Sequence, residues 1–170
     1  MTFIESETIE LKSSVVADLC KEVIAFANTR GGTLYIGVED NGTVIGVDSA
    51  DRVTLQINNM VRDSIKPDIT MFVHYETQVI NDKQIIAVTV QEGTDRPYYL
   101  GSKGLKPSGV YVRNGTSTDP ASDTAIRKMI KETDGDSFET MRSLEQNLSF
   151  QAGHQIRLSH HHVACAAVAL

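Results

Sequence analysis

The sequence predicts one α+β domain, in which a mixed β-sheet with hairpins packs against two to four helices. Helical and strand patterns alternate up to about residue 132, and turn signals such as Asn41-Gly42 and Asn81-Asp82 separate them. The 170 residues are enough for one domain with a real core, and the 41% hydrophobic and 22% charged content is ordinary for a globular protein.

The first half of the chain contains two predicted helices and three predicted strands. Apolar residues recur at helical spacing over residues 15–28 and again over 51–65. After the first helix, Gly31-Gly32 allow a close turn back onto a strand. The Asp40-Asn41-Gly42 segment is a tight-turn signal that predicts a hairpin between the second and third strands. The predicted strands are 8–12, 33–38 and 43–47.

The second half is predicted to begin with another hairpin and to end in helices. Strands over 69–80 and 83–90 flank Asn81-Asp82, and a glycine-rich loop leads to a short strand over 109–113. Ser117-Thr118-Asp119 are capping candidates for a helix over 120–132. A further helix is predicted over 137–148.

The pattern predicts three segments along the chain. Residues 1–135 form the domain, and residues 136–150 form a C-terminal helix or linker. Residues 151–170 lack periodicity and hold four of the five histidines, so we interpret them as a disordered tail or the point where a longer protein is truncated. A missing C-terminal domain is therefore one expected partner.

The charge is unfavourable for a DNA-binding protein as a whole but is unevenly distributed. The net charge is −6, and residues 1–48 carry eight acids and three bases. Residues 101–113 instead carry Lys103, Lys106 and Arg113 and no acid. Because phosphate neutralisation supplies most nucleic-acid affinity, this stretch is the predicted contact.

Several classes of protein are excluded by missing motifs. The chain has no P-loop, no G-x-G-x-x-G, no G-x-S-x-G and no H-E-x-x-H, so nothing in it supports nucleotide binding or those hydrolases. It also lacks a secretory signal and a run of about 20 apolar residues, which argues against a membrane partner. Cys20 and Cys165 have no metal-ligand spacing and suit a reducing cytoplasm.

Three segments together carry a family resemblance. They are ESETIELK at residues 5–12, AFANTRGGTLYIGVEDNG at 25–42, and GVYVRNGTST at 109–118 followed by Pro120-Ala121-Ser122. In this order they resemble the Schlafen/AlbA-like DNA-binding domain, over residues 5–132. The resemblance implies a Schlafen/AlbA-like fold and a nucleic-acid-binding module, with DNA favoured over RNA, within a bacterial-type transcriptional regulator of the divergent AAA type.

The resemblance also implies an alternative, a divalent-metal-dependent nuclease of the Schlafen type. Its pattern is kept here as Glu5, Glu10 and Asp40, which would bind Mg²⁺ or Mn²⁺ and act as catalytic residues, with Lys12 as a charge for phosphate. No cofactor is predicted for the leading, non-catalytic function. Residues 5 and 10 of one strand would point to opposite faces, so Glu5 must lie before the strand or a bend must intervene.

Other polar residues have two interpretations each. Tyr111 and Arg113 alternate to one face of a strand and suit backbone contact and base stacking, or Arg113 pairs with an acid such as Glu10 or Asp40 while Tyr111 packs the sheet. Asn28 is expected to cap the first helix or anchor the following turn rather than catalyse. The candidate nucleic-acid contacts are Lys12, Arg30, Lys103, Lys106, Tyr111 and Arg113. A third hypothesis, based on the charge of −6, is a protein-interaction or oligomerisation domain, with a homodimer as the predicted assembly.

Overall fold

The computed structural model describes residues 2–135 and has the predicted α+β class. Its strands are β1 (Ile9–Lys12), β2 (Gly32–Ile36), β3 (Ile65–Lys66), β4 (Val73–Ile80), β5 (Lys83–Val90), β6 (Tyr99–Leu100), β7 (Tyr111–Asn114) and β8 (Ser117–Pro120). Its helices are α1 (Leu19–Asn28), α2 (Ala50–Ser64), a 3₁₀ turn (Thr70–Phe72), and α3, which begins at residue 123 and is described to residue 135. One compact unit ends at Ile130, and a second begins at Lys131.

The main sheet has four strands in the order β1-β2-β5-β4. β1 and β2 are parallel, with Leu11 opposite Tyr35, and α1 forms the crossover between them. The other pairs are antiparallel. Two small sheets, β3-β6 and β7-β8, complete the described strands, and β7 packs against α1.

The larger core lies between α1, α2 and one face of the main sheet. Nearly every residue of α1 is buried, including Phe26, which packs with Leu34 of β2 and Val88 of β5. This burial favours the helix far more than its length of ten residues would in isolation. The opposite face of the sheet is partly covered by the N-terminal segment, where the Phe3 ring lies edge-on to Tyr35 at 4.8 Å.

Turn chemistry explains which hairpin predictions are confirmed. Asn81 and Asp82 adopt φ of 50° and 60°, the left-handed conformation that a two-residue hairpin turn requires, and β4 and β5 pair across them as predicted. The Asp40-Asn41-Gly42 turn also forms, since Gly42 N–H donates to Glu39 O. The strand predicted over 43–47 is wrong, because beyond the turn the chain makes only one bridge, between Val38 and Val44.

Three predicted boundaries also differ from the structure. The helix predicted from residue 15 begins at Leu19, and residues 70–72 of the strand predicted over 69–80 form the 3₁₀ turn instead. The cap predicted at Ser117-Thr118-Asp119 is wrong, because the Asn114-Gly115 turn, with Gly115 at φ 61°, folds these residues back onto β7 as strand β8. The helix then starts at residue 123, where the hydroxyl of Ser122 accepts from Ala125 N–H at 3.1 Å. The helix predicted over 137–148, the 136–150 linker and the 151–170 tail lie outside the described residues, and the domain boundaries stay predictions.

Candidate functional site

A tight turn before β1 places Glu5 before the strand, one of the two arrangements in which Glu5 and Glu10 could converge. Ser6 N–H donates to Ile9 O at 3.0 Å, and Ile9 N–H donates back to Ser6 O at 3.4 Å. The chain therefore doubles back, and the pKa of Glu5 responds to the neighbouring charges of Glu10, Asp40 and Lys12. Glu5 thus lies before β1 rather than along it, as its predicted role allowed.

Glu10, on β1, is a buried carboxylate held between two cations. Its side chain is 7% exposed, Lys12 Nζ lies 2.5 Å from Oε1, and Arg113 Nη1 lies 2.7 Å from Oε2. Both carboxylate oxygens therefore have a charged donor, which is the condition under which a buried charge is tolerated.

Arg113 is the centre of this cluster, and its side chain is only 1% exposed. The guanidinium donates to Ser6 O at 2.9 Å, to Ile9 O at 3.3 Å and to Thr118 Oγ1 at 3.1 Å. It also lies over the ring of Phe26, with 5.1 Å between Cζ and the ring centroid. Arg113 therefore joins β7 and β8 to β1, to α1 and to the turn before β1.

Glu22, on α1, completes the cluster and was not among the predicted site residues. Its carboxylate lies 3.3 Å from Arg113 Nη1 and accepts from Thr118 Oγ1. Burial raises the pKa of Glu22, and the hydrogen bond from Thr118 only partly offsets this rise. The one sequence signal for its burial is its position four residues before Phe26, which places both on one face of the helix.

The three predicted metal ligands come near one another but do not form a metal site as placed. The pKa of Glu5 is raised by burial and then by the negative charges of Glu10 and Asp40, so the three carboxylates interact. Yet both oxygens of Glu10 are occupied by Lys12 and Arg113. Within residues 2–135, no group of three or more His, Cys, Asp or Glu side chains is spaced to hold a metal ion. The donor set therefore does not fit a divalent cation in this arrangement.

Of the two interpretations given above for Tyr111 and Arg113, the structure has the one in which both side chains make their contacts within the protein. Arg113 is paired with Glu10, as described above. Tyr111 is 9% exposed, its hydroxyl donates to Ser108 O at 3.1 Å, and Lys21 Nζ lies 5.7 Å from its ring centroid. Neither side chain presents a free face to a ligand in this conformation.

Lys103 and Lys106 lie instead on an exposed, internally bonded loop between β6 and β7. Backbone bonds such as Gly109 N–H to Lys106 O at 2.8 Å fold this loop on itself. A side chain at Gly109 would come within 2.2 Å of Gly104 O, so the loop requires glycine there. Neither lysine makes an ion pair with a described residue, which leaves both ammonium groups available to an anion.

The structure places Lys66 of β3 beside this loop, whereas Arg30 lies beside Glu7. Pairing of β3 with β6 sets Lys66 opposite Tyr99, and its side chain approaches Gly101. The exposed lysines Lys66, Lys103 and Lys106 are called the basic loop patch below. Sequence reasoning missed Lys66 because it lies outside the acid-free stretch. Arg30 is exposed beside Glu7, with 3.9 Å between Nη1 and Oε1.

The family profile described as Schlafen, AlbA_2 matches residues 5–122. The chain belongs to the Schlafen AlbA_2 family. The match begins at Glu5 and ends at Ser122, so it contains the buried cluster, Asp40 and the basic loop patch. The predicted family and fold class are thereby confirmed, and the family is linked to nucleic-acid binding.

Two solved structures resemble this AlbA_2 domain. The N-terminal domain of a Nitrosomonas europaea protein described as related to the ATP-dependent DNA helicase RecG is 29% identical, with a TM-score of 0.51 over 66% of this chain and 82% of that one. The DIP2311 protein of Corynebacterium diphtheriae is 20% identical, with a TM-score of 0.50 over 68% of this chain. The match spans only 25% of DIP2311, so that likeness concerns the fold alone.

No curated protein matches the AlbA_2 chain. Among residues 2–135, none of the helices has the length and apolar character needed to cross a bilayer.

Proposed function

We propose that this AlbA_2 domain is a nucleic-acid-binding module, that its ligand is DNA, and that it serves a bacterial-type transcriptional regulator. The observation that carries the proposal is the basic loop patch, where Lys103 and Lys106 are exposed on the loop between β6 and β7 without an ion pair to a described residue, and Lys66 of β3 is exposed beside Gly101 of that loop. The family's link to nucleic-acid binding supports it. So does the likeness to a domain of a protein whose title refers to a DNA helicase.

The charge distribution is consistent with one contact face on an acidic protein. Glu10 and Glu22 are neutralised internally by Lys12 and Arg113. This cluster of two acids and two bases has no net charge, so the net charge of −6 lies on the other residues, and binding would depend on the local charge of the basic loop patch. Phosphate contacts by a few lysines give binding that is weakly sequence-specific and strongly salt-dependent.

Replacing Lys103 and Lys106 together by alanine is expected to weaken DNA binding by tenfold or more at low salt. It should also reduce the slope of log K against log salt by about 2, since each duplex phosphate contact contributes about 0.9. The measurement is fluorescence polarisation of labelled duplex DNA, single-stranded DNA and single-stranded RNA at several salt concentrations.

The matched control removes two positive charges elsewhere, with Arg52→Ala and Lys83→Ala. Arg52 is exposed in the first turn of α2, about 18 Å along the helix from Ser64, whose carbonyl bonds Gly101. Equal loss in the two double variants would show that only net charge matters and would remove the loop from the proposal. Stronger binding of RNA than of both DNA probes would replace DNA as the ligand.

The second candidate function is a divalent-metal-dependent nuclease that uses Glu5, Glu10 and Asp40. The observation that favours it is the turn before β1, which brings the Glu5 carboxylate into the field of Glu10 and Asp40. The observation against it is that Glu10 would first have to release Lys12 or Arg113.

We expect the probes to stay intact when incubated with Mn²⁺ and resolved on a denaturing gel, because the acids do not fit a metal as placed. Cleavage that disappears with chelator and in Glu5→Gln and Asp40→Asn, but not in the exposed neighbour Glu39→Gln, would instead establish the nuclease. These three substitutions keep the buried cluster of Glu10, Glu22 and Arg113 unchanged, so misfolding does not confuse the result.

A further inference from the structure

The two edges of the main sheet differ in how their backbone groups are satisfied. At the β1 edge, the N–H and C=O of Ile9 bond Ser6, and Arg113 donates to the same carbonyl. β1 is also only four residues long. This edge is therefore covered by the protein itself, as edges of soluble sheets usually are.

The β4 edge has no such cover within the described residues. β4 has eight residues, pairs with β5 on one side, and on the other has no backbone partner among residues 2–135. Its sequence, VHYETQVI, contains no lysine, arginine or proline, and its pairing with β5 runs without a bulge from Val73 to Ile80. Val79 is 66% exposed on this strand. A long, regular edge with an exposed β-branched residue is a template for another strand.

A second copy of β4 fits this edge in one antiparallel register. A twofold axis perpendicular to the sheet pairs residues whose numbers sum to an even value, because directly opposite residues share a face. In the two registers that pair the most β4 residues, the numbers of directly opposite residues add up to 152 or to 154. A sum of 152 sets Glu76 opposite Glu76 of the other copy, which is unfavourable for like charges.

The register with a sum of 154 has no like-charge pair and covers the exposed apolar residue. It sets Thr77 opposite its own copy on the axis, and Val79 opposite Tyr75, which is partly buried against the larger core. It also sets Glu76 opposite Gln78, a pair that already bonds within one copy, with 2.9 Å between Gln78 Nε2 and Glu76 Oε2.

We propose that β4 pairs antiparallel with β4 of a second copy in this register, so that two four-stranded sheets form one continuous sheet across a twofold axis. The occupant of the edge is thus another molecule of the same chain. This inference does not depend on nucleic-acid binding, since the basic loop patch lies on β3 and on the segment between β6 and β7, and not on β4.

The register is tested by disulfide trapping in the full chain. Cys20 is buried, and Cys165 is replaced by serine. Thr77→Cys places two sulfurs on opposite strands with Cα atoms about 4.5–5.5 Å apart, within disulfide range, and should give a covalent dimer under mild oxidation. Glu76→Cys is the matched control, because its two copies lie about 8 Å apart on the diagonal and should cross-link at least tenfold more slowly.

The β4 edge as the dimer interface is tested by sedimentation of the parent protein and two variants. The parent is expected at twice its monomer mass of 18.6 kDa. Val79→Lys places a charge on the edge and should give the monomer, whereas Leu55→Lys, at a 60% exposed position on α2, should remain a dimer. A monomeric parent at all concentrations, a dimer unaffected by Val79→Lys, or equal cross-linking of the two cysteine variants would overturn the proposal. Circular dichroism of each variant checks the fold.

Discussion

Arg113→Met is expected to destabilise this domain by about 3–5 kcal/mol, the range measured when one partner of a buried ion pair is removed. Methionine keeps an apolar stem against Phe26 but leaves Glu10 with only Lys12, and Glu22 with only Thr118. The carbonyls of Ser6 and Ile9 also lose the guanidinium donor and keep only the bond from each other's backbone N–H. Because a domain of this size has a free energy of unfolding of about 5–15 kcal/mol, the loss is a large part of the total.

Urea unfolding followed by far-UV circular dichroism measures this effect. Arg62→Met is the matched control, because Arg62 is exposed and, among residues 2–135, forms an ion pair with its neighbour Asp63 alone, so its replacement should leave the urea midpoint almost unchanged. Glu10→Gln and Glu22→Gln, added to Arg113→Met, should restore part of the stability by removing the unpaired charges. A loss below about 1 kcal/mol for Arg113→Met alone would show that the cluster is not closed in solution.

Asn28→Ala is expected to cost about 3 kcal/mol. Asn28 is 4% exposed, its amide nitrogen donates to Tyr98 O at 3.0 Å and to Tyr111 O at 2.9 Å, and its oxygen accepts from Tyr98 N–H at 2.8 Å. Alanine leaves these buried backbone groups without a partner, and each such group costs about 1–3 kcal/mol. The end of α1 would then no longer be bonded to the segments around β6 and β7.

The same unfolding experiment measures Asn28→Ala, with Asn59→Ala on the partly exposed face of α2 as its control. Asn28→Asp is a second informative variant, because it keeps the acceptor for Tyr98 N–H but loses both donors and introduces a buried charge. It should be at least as unstable as Asn28→Ala. If Asn28→Asp were as stable as the parent, the amide bridge would not be the reason for the burial of Asn28.

Asn28 also shows which contacts cannot be predicted from neighbouring residues in the sequence. The prediction of a structural rather than catalytic role agrees with its burial, but its predicted place was the adjacent turn. Its actual partners are 70 and 83 residues away in the chain. The end of α1 is instead capped by Thr29, whose N–H donates to Phe26 O. Nothing near Asn28 in sequence indicates Tyr98 or Tyr111.

The sequence by itself determined the features that depend on neighbouring residues. Asn81-Asp82 and Asn114-Gly115 specify tight turns through their tolerance of positive φ, and the apolar period over 51–65 places α2 correctly to within one residue at each end. The motif segments identified the family. These signals are local, so they can be read without knowing what packs against them.

Only the tertiary structure decided which charges are internal and which are available. Arg113, Lys103 and Lys106 belong to one basic stretch, yet β7 docks on α1 and buries Arg113 against Glu10 and Glu22, while the loop before it leaves both lysines exposed. Ser117-Thr118-Asp119 could cap a helix or form a strand, and pairing with β7 selects the strand. The physical reason is the same in each case: burial and pairing depend on residues far apart in the chain, and no local pattern contains them.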